Sequence, residues 1–283
     1  EFIQEFSSSL ENPGNVFWLA EQLPDGLEWS TFMGENYFWK EWLEYRNQPT
    51  SLMHLARNPL MLRMLVQQYS IDNDIPNNRF NLIVSFVDEL INRELARNEN
   101  IDTQAAEEEY DELMQSLMDL AFTMQNESKD TKTFLSSSVT SLPLDEIPRF
   151  LSEKQIYLAT SASILKIDND LRFSHQMLQE FFAALAIQDK IDYEENFQLS
   201  DIWDSNHWWR RNNWEETVIL LAGQYHDDCS PVLDWIIDVS PTLWVDCVLK
   251  SGSHTPSYQL EKFREKYMPR LTDIMNYTVP IAR

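Results

Sequence analysis

Glycine is scarce in this 283-residue chain, at 5 residues. That scarcity argues against architectures that depend on it, such as dinucleotide-binding βαβ units or barrels of tight hairpins. Cysteine is scarcer still. Cys229 and Cys247 stand far apart in sequence, with no CxxC or Cys/His spacing, which excludes a disulfide framework, gives no zinc motif, and favours a reducing, cytoplasmic setting. Positive charge is also short: 22 Lys+Arg face 46 Asp+Glu, a formal charge of −24, so duplex DNA and anionic membranes are repelled unless a basic patch exists. The nearest candidates, Trp208-Trp209-Arg210-Arg211 and Lys262 to Arg270, are short and interrupted, and read as solvated helix faces. No apolar run reaches the roughly 18 residues of a membrane span, and no signal peptide opens the chain. Neither DNA nor a membrane is expected as a partner.

What is present suits buried cores: 43% of the residues are hydrophobic and 12% aromatic. With so little glycine, the expected fold is mainly α. Residues 1–50 carry Phe17, Trp18, Trp29, Phe32, Tyr37, Phe38, Trp39, Trp42 and Tyr45, broken by turns; such a segment can line a ligand groove, but aromatic rings more often pack. Ser51 to Tyr69 reads as a helix pair interrupted at Asn58-Pro59, with Pro59 opening the second helix, where a missing N–H costs nothing. A polar loop, Asp72 to Asn78, leads to an amphipathic helix over Phe80 to Arg97, and a further helix is expected over Glu107 to Gln125. The serines of Ser136 to Ser141 form a loop, and Leu144 to Glu153 is expected to be a short helix. Ile164 to Ile167 and Leu171 to Phe173 read as a hairpin around Asp168-Asn169-Asp170. Helices follow over Trp214 to Tyr225, Pro231 to Val239 and Pro241 to Leu249, as stacked hairpins.

One histidine stands at the join between the hairpin and the next helix. Leu178, Phe181, Phe182 and Leu185 follow at i, i+3, i+4 and i+7, a buried stripe, and Ser174 occupies the expected N-cap position. His175 then falls in the first helical turn, where unpaired N–H groups and the helix dipole collect anions. By itself, a lone histidine there is more often a local cap or a packed ring. The other histidines, His54, His207, His226 and His254, have no metal-binding or triad-like setting. No GxSxG elbow occurs, and His226-Asp227-Asp228-Cys229 is a poor metal site; no metal site and no catalytic residue are expected.

Three segments, in order, resemble the C-terminal half of NACHT-type modules, the STAND-class signalling NTPases that include NOD-like receptors and bacterial defence proteins. They are Leu55-Ala-Arg-Asn-Pro-Leu-Met-Leu-Arg-Met-Leu65, Phe173-Ser-His-Gln-Met-Leu-Gln-Glu-Phe-Phe-Ala-Ala184 and Trp214-Glu-Glu-Thr-Val-Ile-Leu-Leu-Ala-Gly223. The resemblance covers most of Ser51 to Leu249. It implies an end of, or insertion near, the nucleotide-binding core at 1–50, a helical domain at 51–100, a winged-helix domain with a β-hairpin wing at 101–192, and the start of a HEAT-like α-superhelix at 193–283.

The resemblance further implies Pro59 against the adenine of a bound nucleotide and His175 on the β-phosphate of ADP, holding a closed state. ATP would displace ADP, the winged helix would swing away, and the protein would oligomerise in response to a protein trigger, in immune or antiviral defence. The pattern also departs from the family. GxxxxGK[ST] is absent and no Gly-Lys pair occurs, so this chain by itself is expected not to be an enzyme and to hold no cofactor. ADP or ATP with Mg²⁺ is expected only in a longer protein whose upstream nucleotide-binding domain partners this one, and the first residue, Glu1, is read as the start of an excised piece. The alternative reading is an acidic helical adaptor for protein–protein interaction.

Overall fold

The computed structural model describes residues 55–72, 78–97, 102–126, 140–193, 197–198, 202, 213–225 and 227–278. The expectations for the aromatic segment 1–50, for most of the loops 72–78 and 136–141, for His54, His207 and His226, and for the Trp208–Arg211 cluster lie outside these residues. The described part is mostly helical with one small antiparallel sheet. The chain forms two compact units, Glu1–Ile75 and Pro76–Arg283.

In the first unit, helix α1 (Pro59–Asp72) starts at the proline. The Asn58 side chain accepts hydrogen bonds from the Leu60 N–H at 2.9 Å and the Met61 N–H at 3.4 Å. Two donors that a helix start leaves unpaired are thereby satisfied. The apolar side is buried at Met61, Met64 and Leu65.

In the second unit, α2 (Arg79–Ala96) and α3 (Thr103–Asn126) come first. Asn78 caps α2, its side chain accepting from the Asn81 N–H at 2.9 Å. Strand β1 (Leu142–Pro143), a 3₁₀ turn (Ile147–Arg149) and α4 (Glu153–Ser161) follow. A continuous helix over Leu144 to Glu153 does not form. The capping box between Ser152 and Gln155, with the side chain of each bonded to the other's backbone, starts the α-helix at Glu153 instead.

The hairpin is β2 (Leu165–Ile167) and β3 (Asp170–Phe173), with Leu165 opposite Phe173 and Ile167 opposite Leu171. Strand β1 adds to the other edge of β3, Leu142 opposite Leu171, giving the order β1-β3-β2. Helix α5 (Gln176–Tyr193) leaves directly from this sheet.

Helices α6 (Glu215–Gln224), α7 (Ser230–Ile236), α8 (Pro241–Lys250) and α9 (Ser257–Thr278) complete the unit. The residues around Lys262 lie on α9, where Lys262 pairs with Asp234 at 2.8 Å and Trp244 of α8 stacks on Phe263, ring centroids 4.3 Å apart.

α5 is the centre of this unit, packed chiefly against α3 and α6. The sequence pattern suggested one apolar stripe. Instead Leu178 to Ala184, Ala186 and Ile187 are all buried, because helices cover it on several sides and Ala183, Ala184 and Ala186 allow their approach. Leu185, expected in the stripe, is only half-buried.

Candidate functional site

The site around His175 is assembled by consecutive local signals. Helix α4 ends with Ser163 in the left-handed region, φ 61°, while the Ile164 N–H bonds to Ala159 O at 2.9 Å and the Ser163 N–H to Thr160 O at 3.0 Å. This double bond pattern reverses the chain into β2. Along β3 the side chains alternate: Leu171 and Phe173 enter the core, while Asp170 and Arg172 face out. The Ser174 N–H donates to Ile164 O at 2.8 Å, tying the strand–helix join to the start of the hairpin.

The Ser174 hydroxyl does not cap α5. It is buried and has no hydrogen-bond partner, and the helix begins at Gln176, two residues on. The backbone contact to Ile164 holds Ser174 in the sheet register. His175 is therefore the residue just before the helix; its side chain is exposed and its carbonyl accepts from the Leu178 N–H at 3.0 Å.

His175 and Gln176 border an open groove of about 590 Å³, whose other wall is the hairpin tip with Asp168, Asp170 and Arg172. Arg172 pairs with Asp168 at 2.8 Å, and the Ser141 hydroxyl approaches Asp170 at 3.4 Å. The hairpin wall is thus close to charge-balanced or acidic, and the electropositive side of the groove is the start of α5 with its imidazole. Such a groove can admit a small polar group and offer it hydrogen-bond donors from one side.

Pro59 stands exposed at the first position of α1, in the other unit. The two residues named from the sequence therefore belong to different units.

Behind the groove lies a polar layer that sequence reasoning passed over. Gln176 Nε2 donates to Glu180 Oε1 at 2.8 Å, and Glu180 is buried. Burial and the nearby Glu216 carboxylate push the Glu180 acid up to about 7, against smaller downward effects of the Gln176 hydrogen bond and Arg79. Deeper along α5, the Gln179 amide donates to Gln125 Oε1 at 2.9 Å, Gln125 donates to the Asn213 carbonyl, and Asn213 Nδ2 returns a bond to Gln125 O at 2.7 Å. These amides join α3, α5 and the turn before the Trp214 helix. The readable signal was an acid and an amide, Gln179-Glu180, set between Leu178 and Phe181 in an otherwise apolar run.

Cys229 and Cys247 are both buried, and burial raises both thiols above their ordinary value. The Cys229 thiol donates to His254 O at 3.3 Å, and the neighbouring Asp228 accepts from the Ser230 N–H at 2.8 Å. These residues serve the start of α7. Among the described residues no group of three or more His, Cys, Asp or Glu side chains could hold a metal ion, and no helix is long and apolar enough to cross a membrane.

The sequence matches no protein-family model and no curated protein.

Proposed function

We propose that this chain is the regulatory, post-core part of a nucleotide-switched signalling NTPase of the NACHT type, comprising a helical segment, a winged helix and the first turns of a helical superhelix. The observation that carries the reading is His175: exposed, next to a helix N-terminus, on the rim of an open groove. A donor so placed suits a phosphate oxygen. Its proposed role is to contact the β-phosphate of ADP and hold the closed state.

A winged-helix arrangement of α3, α4 and the sheet is supported by β1, which precedes α4 and pairs back onto the hairpin. The superhelix reading is supported by α6, α7 and α8, each of which packs on the other two. Nucleotide exchange would act through differential contacts: the state that keeps His175 on ADP is favoured by ADP, and oligomerisation follows its loss. The P-loop and its Mg²⁺ would come from an upstream domain of the same protein, and the setting would be cytoplasmic immune or antiviral signalling.

The reading is tested by identifying the nucleotide carried by a longer natural form of this protein. Copurification of ADP with a protein bearing an upstream P-loop supports it; a parent reading frame without a P-loop overturns it. A second reading, an acidic helical adaptor, is favoured by the exposure of Tyr157 and Tyr193 on a chain of net charge −24. That outcome follows if no nucleotide is carried and a protein partner is lost on replacing those tyrosines.

A further inference from the structure

The polar cluster beneath the groove has an uneven inventory. Arg79 on α2 bonds Glu216 on α6 at 2.7 Å, while its buried Nε has no hydrogen-bond partner. Glu180 on α5 is bonded by Gln176, which lines the groove. Two carboxylates thus stand near one guanidinium that has a donor still to give. Among the described residues the charged groups acting on Glu180 are Glu216 from α6 and Arg79 from α2. Helix α3 faces α5 through the uncharged Gln125–Gln179 amide pair.

We propose that Glu180, Gln176, Arg79 and Glu216 form a proton-operated latch where α2, α5 and α6 meet. With a proton on Glu180, Arg79 serves Glu216 alone and α6 is docked firmly against α2. Without it, two carboxylates compete for Arg79, the docking of α6 loosens, and the Glu180 carboxylate strengthens its hold on the Gln176 amide at the groove. The latch thereby couples the groove to the Trp214 helix, whichever ligand the groove takes.

The direction with pH follows from linkage. The Glu180 acid is raised from 4.5 to about 7 in the folded protein. Its stabilising contribution is fully present below the unfolded value and is lost as the pH rises through the folded one. The Arg79–Glu216 pair, half-exposed on its carboxylate side, is weakened over the same interval when it must share its cation.

The test is hydrogen exchange of the α6 backbone, corrected for intrinsic rates, across about pH 5 to about pH 8, the interval in which Glu180 should titrate. It is combined with the carboxyl titration of Glu180 by NMR. All proteins carry His175→Asn, which removes the imidazole at the groove from the pH response. The expected results are α6 protection that falls severalfold with rising pH and that Glu180→Gln holds at its low-pH level. Glu216→Gln should move the Glu180 midpoint down and Arg79→Gln should move it up. Should Glu180→Gln fail to fold, those two opposite shifts decide alone. Protection insensitive to pH, or a Glu180 midpoint unmoved by both partner variants, overturns the latch. Because no nucleotide enters the experiment, its failure leaves the nucleotide reading standing, and the converse holds.

Discussion

Gly223, in the last full turn of α6, has no room for a methyl group. An added Cβ would stand 3.0 Å from Phe80 Cβ and 3.2 Å from the carbonyl oxygen of Ser251. Both neighbours are close to backbone and cannot swing aside. Gly223→Ala should therefore lower stability by about 1–3 kcal/mol by overpacking, despite the gain in helix propensity, and the shift in Tm measures it. The same glycine's carbonyl accepts a buried bond from Asn78 Nδ2 at 2.7 Å, while Asn78 also caps α2. Asn78→Ala removes the cap and leaves a buried carbonyl unsatisfied, so urea unfolding should show a loss of about 2–3 kcal/mol. A merely additive surface change would give a few tenths.

Among elements, the turn from α4 into the hairpin decides where His175 stands. Ser163 adopts a left-handed conformation that glycine accepts without strain. Ser163→Gly should raise stability by roughly 0.5–1 kcal/mol, allowing for the extra entropy of the unfolded chain, and a Tm that falls would show the conformation to be unstrained. The larger cost lies in the next helix: Phe181 contacts Phe80 with ring centroids 5.4 Å apart and is buried, so Phe181→Ala should cost about 3–5 kcal/mol in calorimetry.

The legibility of these elements in the sequence varied for physical reasons. The β2–β3 hairpin was readable because Leu171 and Phe173 alternate with Arg172 beyond an Asp-Asn-Asp turn, a two-residue period that only a strand satisfies. β1 was not, since two residues, one of them Pro143, show no period at all. The α4 start was readable but passed over: Ser152 and Gln155 have the capping-box spacing, whereas the apolar pattern from Leu144 drew the helix too early. Ser174 shows the opposite failure. Its residue type suits an N-cap, yet its backbone bond to Ile164 commits it to the sheet, a contact between residues ten apart that local pattern does not carry. His175 was legible as standing near a helix start, though it lies just before the helix and not in its first turn; the groove beside it depends on how the hairpin tip folds back and was not.

For the whole molecule, the strongly acidic balance and the partly acidic hairpin wall mean that any anion reaching the groove is held by donors at the start of α5, not by a general positive field. Under the proposed function, His175 would be a sensor of a ligand bound mainly elsewhere. On that proposal its role would be one of affinity and assembly, and the 283-residue chain by itself should show no ATP turnover above buffer; robust hydrolysis would contradict the proposal.

The central claim is that His175 holds a nucleotide in the closed state of a longer protein. It is tested most directly by measuring ADP dissociation and oligomeric state together, for wild type and His175→Ala, in a form that includes the upstream nucleotide-binding domain. The account predicts about tenfold faster ADP loss, the equivalent of one charge-assisted hydrogen bond, with spontaneous assembly in the variant. Equal ADP dissociation and an unchanged oligomeric state in the two proteins would contradict it.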